Sequence, residues 1–180
     1  MTYTKESNNF TISIVKGDII KAETDAIVNA ANQSLLGGGG VDGAIHYAAG
    51  PELLAECKTL NGCETGEAKI TNGYKIPAKH VIHTVGPIYS SAKGDASTLL
   101  QNCYTKCLKL ADKYALKSIA FPSISTGSFG FPIEKATEIA LKTTIDFLDK
   151  HQTSIKQVFF IAYSDHDLEV YKNTFALLTK

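Results

Sequence analysis

The chain has 180 residues, the size of one ordinary domain, and 44% of them are apolar, which is enough for a hydrophobic core. Its 18 basic and 18 acidic residues give no net charge, which argues against general nucleic-acid binding but leaves a local anion site open. No stretch approaches the roughly 18 apolar residues of a membrane span. The polar start MTYTKESNNF lacks the apolar core of a signal peptide, so we expect a cytoplasmic protein.

Short segments rich in β-branched and aromatic residues recur along the chain. Apolar runs of this length favour strands, and those without alternation favour buried ones. The predicted strands are 10–16 (FTISIVK), 26–30 (AIVNA), 68–72 (AKITN, the weakest), 80–85 (HVIHTV), 118–122 (SIAFP) and 157–163 (QVFFIAY).

Helical spacing of apolar residues falls between most of these strands. It predicts helices at 41–49, 51–60, 97–111, 133–148 and 165–178. Gly50-Pro51 separates the first two, and Pro132 is predicted in the first turn of the fourth. The alternation of strands and helices predicts an α/β layered sheet in one domain, residues 1–180.

The four cysteines are interpreted as reduced structural thiols. Cys103 and Cys107 are four residues apart on one face of a predicted helix, and Cys57 and Cys63 lie elsewhere. No Cys-x-x-Cys pair occurs and no histidine is near in sequence, which disfavours a zinc site or a disulfide. No neighbouring residue visibly lowers a thiol pKa, which disfavours a catalytic cysteine.

Two glycine-rich segments each lead from a predicted buried strand to a predicted helix. The first contains four consecutive glycines at 37–40, and the second is SISTGSFGFP at 123–132. Glycines weaken helices and strands, and simple tight turns rarely need so many. Such loops place backbone N–H groups around a phosphate, and the following helix N-terminus adds partial positive charge. Because these loops gather at the carboxyl edge of a parallel sheet, the pair is suited to hold a pyrophosphate from two sides.

A dinucleotide-binding fold is the first alternative for the glycines. Gly38, Gly40 and Gly43 match the spacing G-x-G-x-x-G. However, the glycines begin seven residues after the strand, the helix stops early at Gly50-Pro51, and no acid ends a strand about 20 residues further on. A P-loop is excluded because no Gly-Lys-Ser/Thr sequence is present.

The segment KGDIIKAETDAIVNAANQSLLGGGGVDGAIHYAAG at 16–50 strongly resembles the macrodomain family, whose members bind ADP-ribose. HTVGP at 83–87 and PSISTGSFGFP at 122–132 agree in order and spacing, so the resemblance covers about residues 10–165. The chain is most similar to the MacroD-type branch, whose bacterial members hydrolyse O-acetyl-ADP-ribose and remove mono-ADP-ribose from acidic side chains. The resemblance implies a three-layer α/β/α sandwich around a mixed six-stranded sheet, with the ligand in a cleft at the strand ends.

The resemblance implies catalytic roles for Asn32 and Asp42. Asn32 matches the position that contacts the distal ribose, and its amide can both donate and accept hydrogen bonds; an Asx-turn is the structural alternative. Asp42 matches the group that orients or deprotonates the attacking water, and a helix-terminus role is the alternative. Asn29 is interpreted as a structural residue that ties the loop together.

The resemblance also implies a set of substrate-binding residues. Asp18 is expected to accept a hydrogen bond from the adenine amino group, with a turn or cap as the alternative. Tyr163 is expected near adenine and Phe129 against the distal ribose, with ordinary core positions as the alternative for both. The full set is Asp18, Ile19, Asn32, Gly39, Gly40, Val41, Asp42, Ser125, Thr126, Gly127, Ser128, Phe129 and Tyr163.

Three positions depart from the usual bacterial pattern. Tyr47 replaces a common Arg, Ser128 stands where Val or Ile is usual, and Phe129 replaces a frequent Tyr. We expect Tyr47 to affect docking of a protein partner and Ser128 to affect loop stiffness. The zinc-binding variant of the family has Cys and His in the first loop, which is all glycine here, so we expect no metal and no cofactor.

The histidines are not predicted to be catalytic. The resemblance gives His46 and His83 mainly supportive roles. His80, His151 and His166 are interpreted as surface or loop residues.

The function that the sequence favours is hydrolysis of an ester on the distal ribose of ADP-ribose. The acyl group is acetate or a protein Asp or Glu side chain, and the partners are therefore O-acetyl-ADP-ribose and mono-ADP-ribosylated proteins. A reader that binds ADP-ribose without chemistry is the alternative, and a terminal nucleic-acid adduct as substrate is the third hypothesis. The protein is expected to be a monomer.

Overall fold

The computed structural model describes residues 2–5, 9–92 and 94–180 and contains one mixed β-sheet with helices on both faces. The strands are β1 (Thr2–Lys5), β2 (Phe10–Lys16), β3 (Ala26–Ala30), β4 (Ala68–Asn72), β5 (His80–Thr84), β6 (Ser118–Phe121) and β7 (Gln157–Ala162). The helices are α1 (Gly40–Ala49), α2 (Pro51–Thr59), α3 (Ala96–Lys113), α4 (Ile133–Lys150) and α5 (Asp165–Leu178), and a short 3-10 helix (Ile19–Lys21) follows β2.

The predicted α/β/α sandwich and mixed sheet are confirmed, and each predicted strand and helix is present with ends within two residues. All six predicted strands are in the sheet, and a short further strand that the sequence analysis did not predict, β1, is added at its edge. This four-residue strand pairs antiparallel with β2 and covers what would otherwise be the sheet edge. The predicted place of Pro132 is wrong by one residue: its ψ of 127° leaves it outside the helix, as the cap before Ile133.

The strand order is β1-β2-β7-β6-β3-β5-β4. The five inner strands are parallel to one another, whereas the edge strands β1 and β4 are antiparallel to their neighbours. All five inner strands therefore present their carboxyl ends at the same edge of the sheet. A parallel sheet needs helices on both faces to bury its apolar strands, and the helices divide accordingly.

Two hydrophobic cores lie on opposite faces of the sheet. The larger core packs α3, α4 and α5 against one face and contains aromatic rings in contact, among them Tyr104, Phe121 and Phe160. The smaller core packs α1 and α2 against the other face, with Ile27 and Val81 of the sheet meeting Ile45 and Leu53 of the helices. No helix within the described ranges has the length and apolar character that crossing a membrane requires.

The four cysteines are buried thiols. Burial raises the pKa of both Cys57 and Cys103 to about 11, with the nearby carboxylates of Glu56 and Asp42 adding to the effect at Cys57. A thiol with so high a pKa is protonated at neutral pH and is a poor nucleophile. This environment supports the interpretation of the cysteines as structural residues.

Candidate active site

A cavity of about 770 Å³ opens at the carboxyl ends of the inner strands. It lies where β3 and β6 are neighbours in the sheet. The chain leaves β3 toward α1 on one face and leaves β6 toward α4 on the opposite face. Two adjacent strands whose connections diverge in this way leave a crevice between them, which is the usual ligand site of an open α/β sheet.

All of the residues predicted to bind substrate line this cavity. The first glycine loop contributes one wall, the second contributes the other, and Asp18, Ile19 and Tyr163 close one end. Sequence reasoning missed other lining residues, which are Gly17, Ala30, Ala31, Gly38, Ala44, Gly86, Pro122, Ser123, Ile124, Ile161 and Asp167. Most of these are small or apolar residues beside predicted ones, and only Ile161 and Asp167 lie outside the motif segments 16–50, 83–87 and 122–132.

Close packing explains why the first loop needs glycine at two positions. A Cβ on Gly43 would lie 2.5 Å from the carbonyl oxygen of Gly38, so this contact between helix α1 and the loop has no room for a side chain. A Cβ on Gly38 would lie 3.1 Å from Asp42 Oδ2 and 3.3 Å from Asn32 Nδ2. Because Gly38 has no side chain, a small gap remains beside its Cα, which we call the notch. The side chains of Asn32 and Asp42, the predicted catalytic residues, both border it.

Asp42 is a buried carboxylate in the first turn of α1, with only 4% of its surface exposed. Its Oδ1 accepts a hydrogen bond of 2.8 Å from Asn29 Nδ2. His46, one turn further along the helix, places Nε2 3.4 Å from the same oxygen. The positive end of the helix dipole adds a favourable field for a carboxylate at this point.

A buried chain of polar groups continues from Asp42 into the sheet. Asn29 and His83 are register partners on β3 and β5, and Asn29 Nδ2 lies 3.1 Å from His83 Nδ1. His83 Nε2 lies 2.9 Å from Thr71 Oγ1 on β4. Burial lowers the pKa of His83 to about 3, and the nearby His46 adds to the effect. His83 is therefore neutral at physiological pH.

The neutral state of His83 predicts a specific loss of stability in acid. The pKa of His83 is about 3 in the folded protein and has the ordinary value of 6.5 in the unfolded chain. Between these two pH values the unfolded chain binds a proton at His83 and the folded chain does not. This contribution is intact above pH 6.5 and is lost as the pH falls toward 3, at up to about 1.4 kcal/mol per pH unit. We expect the free energy of unfolding in urea to fall between pH 7 and pH 4.5 in both proteins. The fall should be about 2 kcal/mol smaller in His83→Asn than in the wild type. Parallel losses in the two proteins would contradict a buried neutral His83.

Asn32 and Asp18 each have local hydrogen bonds in addition to their places in the cavity. Asn32 Nδ2 donates to the Gly37 carbonyl at 2.9 Å, and its Oδ1 accepts from Ser34 Oγ at 2.6 Å. Its second N–H and second lone pair are left for a ligand. Asp18 accepts from the Ile20 amide at 3.2 Å and so caps the 3-10 helix. The cap alternative is therefore present at Asp18, whereas Asn32 Oδ1 accepts from a side-chain hydroxyl and not from the main-chain N–H of an Asx-turn. Both residues also lie in the cavity wall.

The second glycine loop is folded tightly against the end of β5. Ser125 has a φ of +67°, an unusual conformation for a residue with a side chain, and it is buried. A Cβ on Gly86 would collide with Ser125 Oγ and lie 2.8 Å from Ile124 Cγ2. Among the described residues Ser125 Oγ has no hydrogen-bond partner. The hydroxyl is packed against Gly86, so glycine is needed there for the second loop to lie this close to β5.

The aromatic residues differ in exposure. Tyr163 directly follows β7 and is 87% exposed, whereas Phe129 is half-buried. The core alternative is therefore wrong for Tyr163. An exposed ring beside a cavity offers a flat apolar face to a ligand.

The charges of the cavity are acidic. Its described lining residues include Asp18, Asp42 and Asp167 but neither Lys nor Arg. The groups in the lining that could bind an anion are therefore main-chain N–H groups, including those of the first turn of α1. Within the described chain no group of three or more His, Cys, Asp or Glu side chains is arranged to hold a metal ion.

A three-layer sandwich with two glycine loops around an anion-suited cavity is the arrangement that the sequence resemblance implies. Residues 28–140 match the Macro domain family. The chain belongs to the macrodomain family.

Two relatives and one solved structure are similar to most of this chain. A macro domain-containing protein of Methanosarcina mazei is 57% identical over 88% of this chain and 84% of its own length. Human ADP-ribose glycohydrolase MACROD2 is 53% identical over 93% of this chain, which spans only 40% of that protein. A mutant of the Oceanobacillus iheyensis macrodomain, solved with ADPR, superposes with a TM-score of 0.93 at 44% identity, covering 99% of this chain and 98% of the other.

Proposed function

We propose that this macrodomain binds ADP-ribose and hydrolyses esters on its distal ribose. The observation that carries the proposal is the convergence of Asn32 Nδ2 and Asp42 Oδ2 on the notch at Gly38, inside the large cavity. The relatives support it, since human MACROD2 is named an ADP-ribose glycohydrolase and the Oceanobacillus iheyensis protein holds ADPR. The finer assignment of single residues is the part that needs experiment.

The proposed binding mode follows the chemistry along the cavity. Adenine lies at the end formed by Asp18, Ile19 and Tyr163, where a carboxylate can accept from its amino group and a ring can pack on its face. The pyrophosphate lies between the two glycine loops and is bound by their main-chain N–H groups. The distal ribose then reaches the notch beside Asn32 and packs against Phe129.

The proposed reaction is attack of water on the ester carbonyl. Asn32 holds the ribose, and Asp42 accepts a proton from the water as its oxygen bonds to the acyl carbon. The bond from the acyl carbon to the ribose oxygen then breaks, the ribose oxygen takes up a proton, and ADP-ribose and a carboxylic acid are released. In the second version of this mechanism a substrate phosphate holds or activates the water instead of Asp42.

We propose that the acyl group is acetate or a protein Asp or Glu side chain, so that mono-ADP-ribosylated proteins are partners. The exposed Tyr47 on α1, 92% accessible, is available to a docking protein. The four buried free thiols suit a reducing compartment, which supports a cytosolic location. We further propose that residues 1–180 form a single macrodomain that acts as a monomer.

The test is to incubate the purified protein with O-acetyl-ADP-ribose and, separately, with a protein auto-modified on Glu. We expect free ADP-ribose to be released, measured by chromatography, and unmodified ADP-ribose to inhibit the release competitively. Tight ADP-ribose binding by calorimetry without any release would make the protein a reader instead. Salt-dependent retention on RNA would point to a nucleic-acid partner.

A further inference from the structure

The side-chain amide of Asn29 joins Asp42 to the interior of the sheet. Asn29 is fully buried on β3, and Ile27, two residues earlier, packs in the core beneath α1 and α2, so both side chains point to that face of the sheet. Its Nδ2 group has two hydrogens and two neighbours, Asp42 Oδ1 at 2.8 Å and His83 Nδ1 at 3.1 Å. The Asp42 carboxylate can only accept, so it needs one of these hydrogens, and the other hydrogen is available to His83 Nδ1.

The hydrogen bonds of His83 determine which ring nitrogen carries the proton. Thr71 Oγ1 has one hydrogen and lies 3.1 Å from the Asn72 carbonyl, which can only accept, and 2.9 Å from His83 Nε2; we assign the hydrogen to the carbonyl. With this assignment His83 Nε2 donates to Thr71 Oγ1, and His83 Nδ1 carries no hydrogen and accepts from Asn29. The protonated thiol of Cys57, 3.8 Å from Nε2, is compatible with this tautomer.

The tautomer in turn fixes the orientation of the Asn29 amide. An asparagine amide can be turned by 180° to exchange its nitrogen and oxygen, and only its partners decide between the two states. In the turned state the amide oxygen would face both the Asp42 carboxylate and the lone pair of His83 Nδ1, which are both acceptors. The observed state leaves Asn29 Oδ1 buried without a partner among the described residues. The fold thus accepts an unsatisfied oxygen to keep the N–H groups on Asp42 and His83.

We infer that Asn29 is a positioning residue for Asp42 and that His83, held by Thr71, sets the direction of the Asn29 amide. This inference rests on the proposed catalytic role of Asp42. The bond from Asn29 holds Oδ1, while Oδ2 is the oxygen at the Gly38 notch and accepts no hydrogen bond from the described residues. One carboxylate oxygen is therefore anchored from the sheet and the other is presented to the substrate.

The test compares two substitutions at His83 that differ in one property. His83→Asn keeps an acceptor close to the position of Nδ1, whereas His83→Leu fills similar space without one. We expect His83→Leu and Asn29→Leu to lower kcat for O-acetyl-ADP-ribose roughly ten- to a hundred-fold, the effect of one hydrogen bond to a charged group. We expect His83→Asn to stay within about five-fold of the wild type, and the Kd for ADP-ribose to change less than about three-fold in all three proteins.

The same kcat for His83→Asn and His83→Leu, at equal folded fraction, would overturn the inference. So would losses of ADP-ribose affinity that match the losses of kcat, since a purely structural role would impair both. Each rate is corrected for the folded fraction measured by thermal unfolding, so that a poorly folded variant is not read as a slow enzyme.

A second measurement does not depend on activity. The ¹⁵N chemical shifts of the His83 ring in the wild type report which nitrogen carries the proton. We expect a protonated Nε2 and a bare Nδ1 at neutral pH. A protonated Nδ1 would overturn the inference directly. If the shifts and the His83 pair behave as expected but Asp42→Asn keeps full activity, the proposed role of Asp42 fails and the local hydrogen-bond chain stands.

Discussion

Replacing Asp42 by Asn is expected to lower kcat for O-acetyl-ADP-ribose by roughly 100- to 10,000-fold, the usual contribution of a general base. The substitution keeps the volume of the side chain and removes only its basicity and charge. Because Asp42 Oδ2 faces the notch at Gly38, we expect the Kd for ADP-ribose, measured by calorimetry, to change much less than kcat. Loss confined to kcat is the signature of an interaction made in the transition state.

The control addresses the alternative role of Asp42 as a helix-terminus charge. Glu134 is an exposed carboxylate in the first turn of α4, the helix that follows the second glycine loop. Glu134→Gln removes a charge from an equivalent position in a helix and is expected to leave kcat nearly unchanged. Equal losses in kcat and affinity for Asp42→Asn would make Asp42 a binding residue. A loss of less than about ten-fold would favour the version in which the substrate phosphate activates the water.

Replacing Gly43 by Ala is expected to damage both stability and activity. The new Cβ would lie 2.5 Å from the Gly38 carbonyl oxygen, a backbone atom that cannot move aside without moving the loop. Overpacking of this kind costs about 1–3 kcal/mol and outweighs the gain of up to about 1 kcal/mol in helix propensity. For a chain of this size we expect the melting temperature to fall by about 2–8 °C. Displacement of the notch by about 1 Å should also lower kcat roughly a hundred-fold.

Gly39→Ala is the matched control, since it makes the same change four residues earlier, at the residue that caps α1. A Cβ on Gly39 has no neighbour within 4 Å, and its φ of −95° is ordinary for any residue. We expect it to cost less than about 1 kcal/mol in thermal or urea unfolding. Equal destabilisation by the two substitutions would mean that the contact between Gly43 and Gly38 does not determine the effect.

The elements of this fold were largely predictable because their signals are local. Ala26–Ala30 is an apolar run interrupted only by Asn29, Asp165–Leu178 has helical spacing, and both were predicted with the bounds that the structure shows. Strand β1 was missed because TYTK has neither an apolar run nor a turn signal, and it becomes a strand only by pairing with β2. The strand order, which brings β6 beside β3, depends on contacts between distant segments that no local pattern contains.

Some features of the candidate site were also predictable from the sequence, and others were not. The residues that the motifs indicated as substrate-binding all line one cavity. They come together because glycine loops that follow parallel strands lie at the same edge of the sheet. The motifs did not reveal that Asn29 meets His83, since the two residues are 54 positions apart and become neighbours only through the register of β3 and β5. The pattern of β3 did contain a signal: an Asn on the apolar face of a buried strand needs a buried partner.

The absence of Lys and Arg from the described lining of the cavity has a consequence for how such a site changes over evolution. Main-chain N–H groups are present whatever side chains the loops carry, so the part of the ligand that they bind is recognised by backbone shape alone. Exposed residues such as Tyr47 on α1 and Ser128 in the second loop are then free to be exchanged, and the ester or the partner protein that the site accepts can change with them. Positions such as Gly38 and Gly43 have no such freedom, because they define the shape itself.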